Sequence, residues 1–248
     1  MSHKLKIALL GATMLGFAST SAQAGLDGNP FEGLYLGFNA NYSKVKSKNS
    51  YEDLEPGVDE LDNNFFTGIG NGAKNTGYGG SLYGGIGTNF WGPMYVSIEG
   101  ALGLAGGSST ATVNTVTPAF ETPDPDGGEP TVTPAAYGTD TLKLKAGFAF
   151  DINARLGFTV SDRVLVYGLG GYTSTKFKAS VSGQDFSSSA GGYRYGAGFE
   201  VGIMEDIALR IEYVRTAHSD INWRTNADSL TFDPSTEALR IGLILHMD

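Results

Sequence analysis

The chain has 248 residues, no cysteine and 36 glycines, and its 17 Lys+Arg against 26 Asp+Glu give a formal net charge of −9. Without cysteine there is no disulfide framework, thiol nucleophile or thiolate metal site, and the acidic balance argues against nucleic acid as a partner. Glycine costs about 1 kcal/mol relative to alanine at each helix position, so this composition suits curved strands around a cramped interior better than a helical core.

Residues 1–24 read as a secretory signal peptide. Lys4 and Lys6 make a basic start, residues 7–18 are apolar, and Ala22-Gln23-Ala24 is a small-residue cleavage site, with cleavage expected before Gly25. The apolar run is well short of the roughly 20 residues that a membrane-spanning helix needs. Residues 25–248 are expected to form one exported domain.

From Gly33 onward, short runs alternate strictly between apolar and small or polar residues, as strands with two different faces do. The first run, residues 33–44, sets Leu34, Leu36, Phe38, Ala40 and Tyr42 on one face. The second, 76–90, sets Tyr78, Leu82, Ile86 and Phe90 outward, and a turn at Trp91-Gly92-Pro93 leads to the third, 94–104. The fourth, 141–160, has one long apolar parity from Leu142 through Phe148 to Phe158. Ser161-Asp162-Arg163 turns into the fifth, 164–178, with Leu165, Tyr167, Leu169 and Phe177 expected outward. The sixth, 193–203, turns at Met204-Glu205-Asp206 into the seventh, 207–216, and the eighth, 237–247, closes the set. Long loops are expected near 45–75, 105–140, 179–192 and 217–235.

Runs of this length, joined alternately by tight turns and long loops, predict an all-β fold: an eight-stranded antiparallel up-and-down transmembrane β-barrel in the outer membrane of a Gram-negative cell, with its long loops extracellular. Two aromatic belts agree, with Phe90, Trp91, Phe158 and Tyr167 at the short-turn end and Tyr42, Tyr78, Phe177, Tyr193 and Tyr195 at the loop end. A lipocalin-like barrel would turn the second parity to water, but that parity is too rich in glycine for a solvated surface.

Eight charged residues occupy the inward parity near mid-strand: Glu99, Asp151, Arg155, Arg194, Glu200, Arg210, Glu212 and Arg240. Facing lipid, each would cost several kcal/mol at the midplane. Four acidic and four basic groups in a narrow interior predict an ion-pair plug across the lumen, with arginine's rigid fork of donors suited to bridging. A selectivity filter in a narrow diffusion channel is the alternative.

At these same residues the chain resembles a known superfamily. Gly33-Leu34-Tyr35-Leu36-Gly37, Ala154-Arg155-Leu156-Gly157-Phe158 with Val164-Leu165-Val166-Tyr167-Gly168, Leu209-Arg210-Ile211-Glu212-Tyr213 and Leu239-Arg240-Ile241-Gly242-Leu243 resemble the OmpA-like and opacity-type small outer-membrane barrels. The resemblance implies an eight-stranded barrel with mobile surface loops, and weak pore activity or adhesion in some members. It also implies folding by the barrel-assembly machinery, which reads an aromatic residue at the end of the last strand; here Met247 holds that place.

The loops are the other candidate carriers of function. Glu52, Asp53, Glu55, Asp59, Glu60 and Asp62 make the first one acidic, and the second holds Asp124, Asp126 and Glu129 without the spacing of an EF-hand, so no metal site or cofactor is expected. Lys44, Lys46 and Lys48 at the rim are placed to meet lipopolysaccharide phosphates. Other expected partners are outer-membrane lipid and host or environmental surface ligands reached through the loops. Enzymatic activity is not expected: His218-Ser219-Asp220 is a run of neighbours, whereas a catalytic relay is assembled in space.

Overall fold

A computed structural model describes residues 31–53, 65–69, 73–117, 119–122, 127–181, 184–224 and 228–247. The signal-peptide segment, with Ala22, Ala24 and Gly25, lies outside the described residues, as do Glu55, Asp59, Glu60 and Asp62 of the acidic loop and Asp124 and Asp126.

The strands are β1 (Gly33–Asp53), β2 (Phe65–Ile69), β3 (Ala73–Trp91), β4 (Met94–Leu104), β5 (Ser108–Thr117), β6 (Phe120–Thr122), β7 (Thr131–Thr133), β8 (Ala136–Ser161), β9 (Val164–Val181), β10 (Gln184–Gly202), β11 (Ile207–His218), β12 (Ile221–Arg224) and β13 (Asp228–Met247). Eight of them form a closed antiparallel ring in the order β1-β13-β11-β10-β9-β8-β4-β3, with β3 pairing back to β1. Closure leaves no strand edge facing lipid, which is the condition for a sheet to cross a membrane.

The alternation is visible as a change of chemistry across the wall. Leu36, Phe38, Leu82, Ile86, Ile98, Leu102, Leu156, Leu239, Ile241 and Leu245 project outward, while Asn39, Asn41, Ser97, Asn153, Thr173 and the charged residues project inward. Outward tyrosines at positions 42, 78, 172, 193, 195 and 213 mark the loop-side border of the apolar band, and Phe90, Trp91 and Phe158 mark the short-turn side.

Two expectations are corrected here. Leu165, Tyr167, Leu169 and Phe177 on β9 face the interior, not the lipid, and Val166 and Tyr172 take the outward side. The lumen near the short-turn end is itself apolar, so on β9 both parities are greasy and alternation alone does not discriminate between them. Thr173 and Thr175, which share the parity of Leu165 and are buried, set the inward face. The second correction is on β8. Its long apolar parity is split by a bulge: the register against β9 shifts between Ala146 and Ala149, so Leu142, Leu144 and Ala146 point inward while Phe148, Ile152 and Phe158 point outward. The irregularity continues next door, where Gly106 and Gly107, at φ 69 and 84, separate β4 from β5. Ala105 N–H donates to Gly147 O at 2.9 Å and Ala146 N–H to Gly107 O at 3.1 Å, which holds the two irregular segments together.

Above this bulge the expected loops are largely strand. The segments near 179–192 and 217–235 are mostly taken up by the upper parts of β9 and β10, by β12 and by the start of β13, and Val181 pairs with Gln184. The segments near 45–75 and 105–140 hold the end of β1, β2, β5, the β6–β7 hairpin and the start of β8.

Among the described residues, β1–β3 pairing stops at Val45 and β10–β11 pairing at Gly192, so the ring opens into two sheets, β12-β13-β1 and β10-β9-β8-β5-β2. They enclose an apolar core: Val45, Ile221 and Phe232 from one, and Val113, Leu142, Leu144, Phe177, Ala179 and Ala190 among those from the other. Outside it stand Lys143, Lys145, Lys176, Lys178, Ser187 and Ser189. The inside–outside chemistry of the membrane segment is thus reversed, as a sheet leaving lipid for water requires.

Candidate functional site in the barrel lumen

The eight inward charges form two tiers across the lumen. The lower tier holds Arg155 from β8, Arg210 from β11, Glu99 from β4, Glu200 from β10 and Glu212 from β11. Arg155 pairs with Glu99, with Glu200 at 3.2 Å and with Glu212 at 3.6 Å. Arg210 pairs with Glu99 at 2.7 Å and Glu200 at 2.8 Å. In the ring β4 and β11 are opposite each other, so the Arg210–Glu99 pair spans the full width of the barrel. Both guanidinium groups are almost wholly buried, at 1% exposure.

Tyrosines surround this tier. The Arg155 guanidinium carbon lies 5.0 Å from the Tyr167 ring centre and that of Arg210 lies 4.3 Å from the Tyr83 ring centre, distances at which a cation is attracted to the ring face. Tyr167 donates to Glu212 Oε1 at 2.8 Å, and Arg155 Nη1 donates to Tyr35 Oη at 3.3 Å. These rings have room because glycine stands across the ladder from them: Gly37 opposite Tyr83, and Gly85 opposite Tyr35. A β-carbon on Gly37 would come within 2.4 Å of the Tyr83 ring, and one on Gly85 within 2.5 Å of Tyr35 Oη. The glycine excess of the sequence is in part the space for these tyrosines.

The upper tier is smaller. Asp151 from β8 accepts from Arg194 of β10 and Thr173 of β9, and lies 3.5 Å from Arg240 of β13. Arg240 stands directly across the ladder from Glu212 of the lower tier, yet its guanidinium reaches this upper group. The lower tier has one carboxylate more than its arginines and the upper tier one arginine more than its carboxylate, so the two offset each other. Tyr35, Tyr95, Leu165, Ile244 and Phe31 belong to a buried apolar cluster below, with His246 packed 6.1 Å from Phe31, ring centre to ring centre. Above the upper tier is a cavity of about 30 Å³ lined by Asn41, Ser43, Thr173, Thr175 and Thr236 among others. It has room for about one water molecule.

Sequence reasoning missed the tyrosines of the lower tier. What they share is a Tyr in the glycine-bearing parity with Gly directly across the ladder, as at Tyr35, Tyr83 and Tyr167, and only the first half of that pattern is open to sequence reading. His218 is buried, 5.0 Å from the Phe177 ring centre to centre, while Ser219 and Asp220 are exposed in the link between β11 and β12. The tripeptide does not converge.

A closed ring with a greasy exterior, aromatic borders and a charged interior defines a membrane-spanning β-barrel. The chain belongs to the family described as the outer membrane protein beta-barrel domain, whose profile matches residues 10–243, and its place is the cell outer membrane. It is 27% identical over 109 residues to the 25 kDa outer-membrane immunogenic protein of Brucella abortus, a match covering 44% of this chain and 51% of that protein. The chain thus spans about half the length of the relatives it matches. Among solved structures, Neisserial surface protein A is similar at 10% identity and TM-score 0.44, covering 86% of this chain and 97% of that one. OprG from Pseudomonas aeruginosa is similar at 13% identity and TM-score 0.43, covering 86% and 96%.

Proposed function

We propose that this protein is a non-enzymatic surface protein with a structural and surface-interaction role, its lumen plugged by the two ionic tiers. The observation that carries the reading is the coupling of a bridged lumen to a built extracellular body. Arg155, Arg210 and Asp151 tie opposite sides of the wall together, and the strands then continue upward as two packed sheets. Such an arrangement spends buried charge on rigidity and presents a firm platform above the membrane. On that platform the β6–β7 hairpin and the start of β8 are exposed, with Tyr137 83% and Val132 58% accessible. Tyr137 lies further along β8 than Lys143, beyond the outward Phe148 and away from the apolar band. Tyrosine is a favoured anchor at protein interfaces because its ring offers large contact area with a polar tip.

Its partners in this reading are outer-membrane lipid and lipopolysaccharide around the wall, the barrel-assembly machinery during folding, and host or environmental surface ligands at the top. Replacing residues 119–134 by a short turn should leave a folded barrel, because among the described residues β6 and β7 pair only with each other. Adhesion of expressing cells to host-cell or matrix surfaces should fall to background in that variant. Undiminished adhesion by a correctly folded deletion variant would remove the hairpin from the account. The second reading, a narrow diffusion channel, draws on the polar lining between the upper tier and the apolar core.

A further inference from the structure

One charged surface of this acidic chain lacks matching counter-charge. Lys143 and Lys145 on β8 and Lys176 and Lys178 on β9 are all exposed on the outer wall, while Leu142, Leu144, Phe177 and Ala179 between them are buried. The register sets Lys145 directly opposite Lys178, about 5 Å apart at the β-carbons, where like charges repel. Among the described residues, the ion pairs of this group amount to one, Lys178 to Asp185 at 2.6 Å, and both of its members are 54% accessible.

The rim lysines singled out from the sequence are different. Lys46 pairs with Glu237, Lys44 stands opposite Glu237 in the ladder, and Lys48 stands opposite Asp233. That side of the wall carries its own anions.

Height on the wall identifies what the β8–β9 cluster meets. Phe148 and Ile152 lie below Lys145 on β8, and Tyr172 lies below Lys176 on β9, all three facing outward. The four lysines therefore stand just above the apolar band, where lipid headgroups begin, and lysines at that level are attracted to anionic headgroups. A ligand matching both features has acyl chains for the lower surface and two or more phosphates for the upper one.

We propose that the outer face of β8 and β9 binds a phosphorylated glycolipid of the outer leaflet, its phosphates between Lys143, Lys145, Lys176 and Lys178 and its acyl chains along Phe148, Ile152 and Tyr172. The inference deepens the surface-protein reading and rests on it for orientation, but it does not depend on whether the lumen is closed. Its partner is a lipid in the plane of the membrane; the β6–β7 hairpin addresses partners above it.

The test is binding of bisphosphorylated lipid A by the refolded full-length protein in detergent, by native mass spectrometry and by titration. The quadruple variant K143Q/K145Q/K176Q/K178Q is compared with K44Q/K46Q/K48Q. All four side chains are exposed, so the quadruple variant is expected to refold, as circular dichroism and heat-shifted gel mobility report. At roughly fivefold per lysine, its lipid A affinity should fall on the order of 10²-fold or more, and the rim variant should fall less than about tenfold. Monophosphoryl lipid A should bind more weakly than the bisphosphorylated form, and phosphatidylglycerol more weakly still. The proposal is overturned by equal losses in the two variants, by an unchanged affinity in the quadruple variant, or by phosphatidylglycerol binding as tightly as lipid A. Because the readout is lipid binding and not conductance, an open lumen would leave the result unaffected.

Discussion

Arg155→Ala is expected to lower the unfolding free energy of the refolded barrel by about 3–5 kcal/mol, the usual cost of removing one member of a buried charge group. Arg155 touches Glu99, Glu200 and Glu212, so its loss leaves three carboxylates facing Arg210 alone in the lower tier. It also takes away the cation that stacks on Tyr35 and Tyr167. Lys46→Ala is the matched control: its pair with Glu237 sits at the water-exposed rim, with side chains 30% and 21% accessible, where an ion pair contributes less than about 1 kcal/mol. Equilibrium unfolding in urea on lipid vesicles measures both. Equal effects would mean that the lower tier is no more than a solvated set of charges.

The second large effect belongs to the extracellular body. Phe177 is buried at 1% exposure among Leu142, Leu144, Ala190 and Phe232, and truncating a phenylalanine in such a core costs about 3–5 kcal/mol. Phe177→Ala should loosen the two sheets above the bulge and leave the ring below them intact. Hydrogen exchange should therefore rise for the amides of β5, β12 and the upper parts of β8, β9 and β10, with little change at Glu99, Arg155 or Arg210. A uniform rise over the whole barrel would show that the extracellular sheets and the membrane ring are one cooperative unit.

The ring of strands was legible because lipid is a demanding solvent. It forces one parity of each strand to be apolar, and β4 runs over the same residues, 94–104, that alternation marks out. The inward charges were legible for the same reason, since a charge in the other parity has nowhere to go but the lumen. The orientation of β9 was not legible: Leu165 lines an apolar part of the interior and Tyr167 and Leu169 stand beside Arg155, so both parities of the strand are greasy and hydrophobicity points to both faces at once. The extracellular body was hidden for a related reason. Above the tyrosine belt the outer face is serine, lysine and asparagine, and the core needs only scattered residues such as Ala190, Ile221 and Phe232. Segments that read as polar loops are strands whose apolar side is thinly marked. The bulge at Ala146–Ala149 adds to this, because it carries one continuous apolar parity from the inside of the wall to the outside.

Within the lumen, residue type and parity predicted that the charges would face each other, but partners depend on shear and register, which alternation does not encode. Arg240 shows this, since a guanidinium reaches several ångströms and the stagger of β13 against β8 decides which carboxylate it meets. The tyrosines that flank Arg155 and Arg210 depend on Gly37, Gly85 and Gly198 lying across the ladder, a relation visible only once the strands are paired.

The central claim is that the ionic tiers close the lumen, and single-channel recording of the refolded protein in planar bilayers tests it most directly. The wild-type protein is expected to give small or rare openings. Arg155→Ala and Arg240→Ala should open more often, and with cation preference, because each leaves carboxylates in excess across the lumen. Large, stable wild-type openings that neither substitution alters would contradict the plug and establish a diffusion channel in its place.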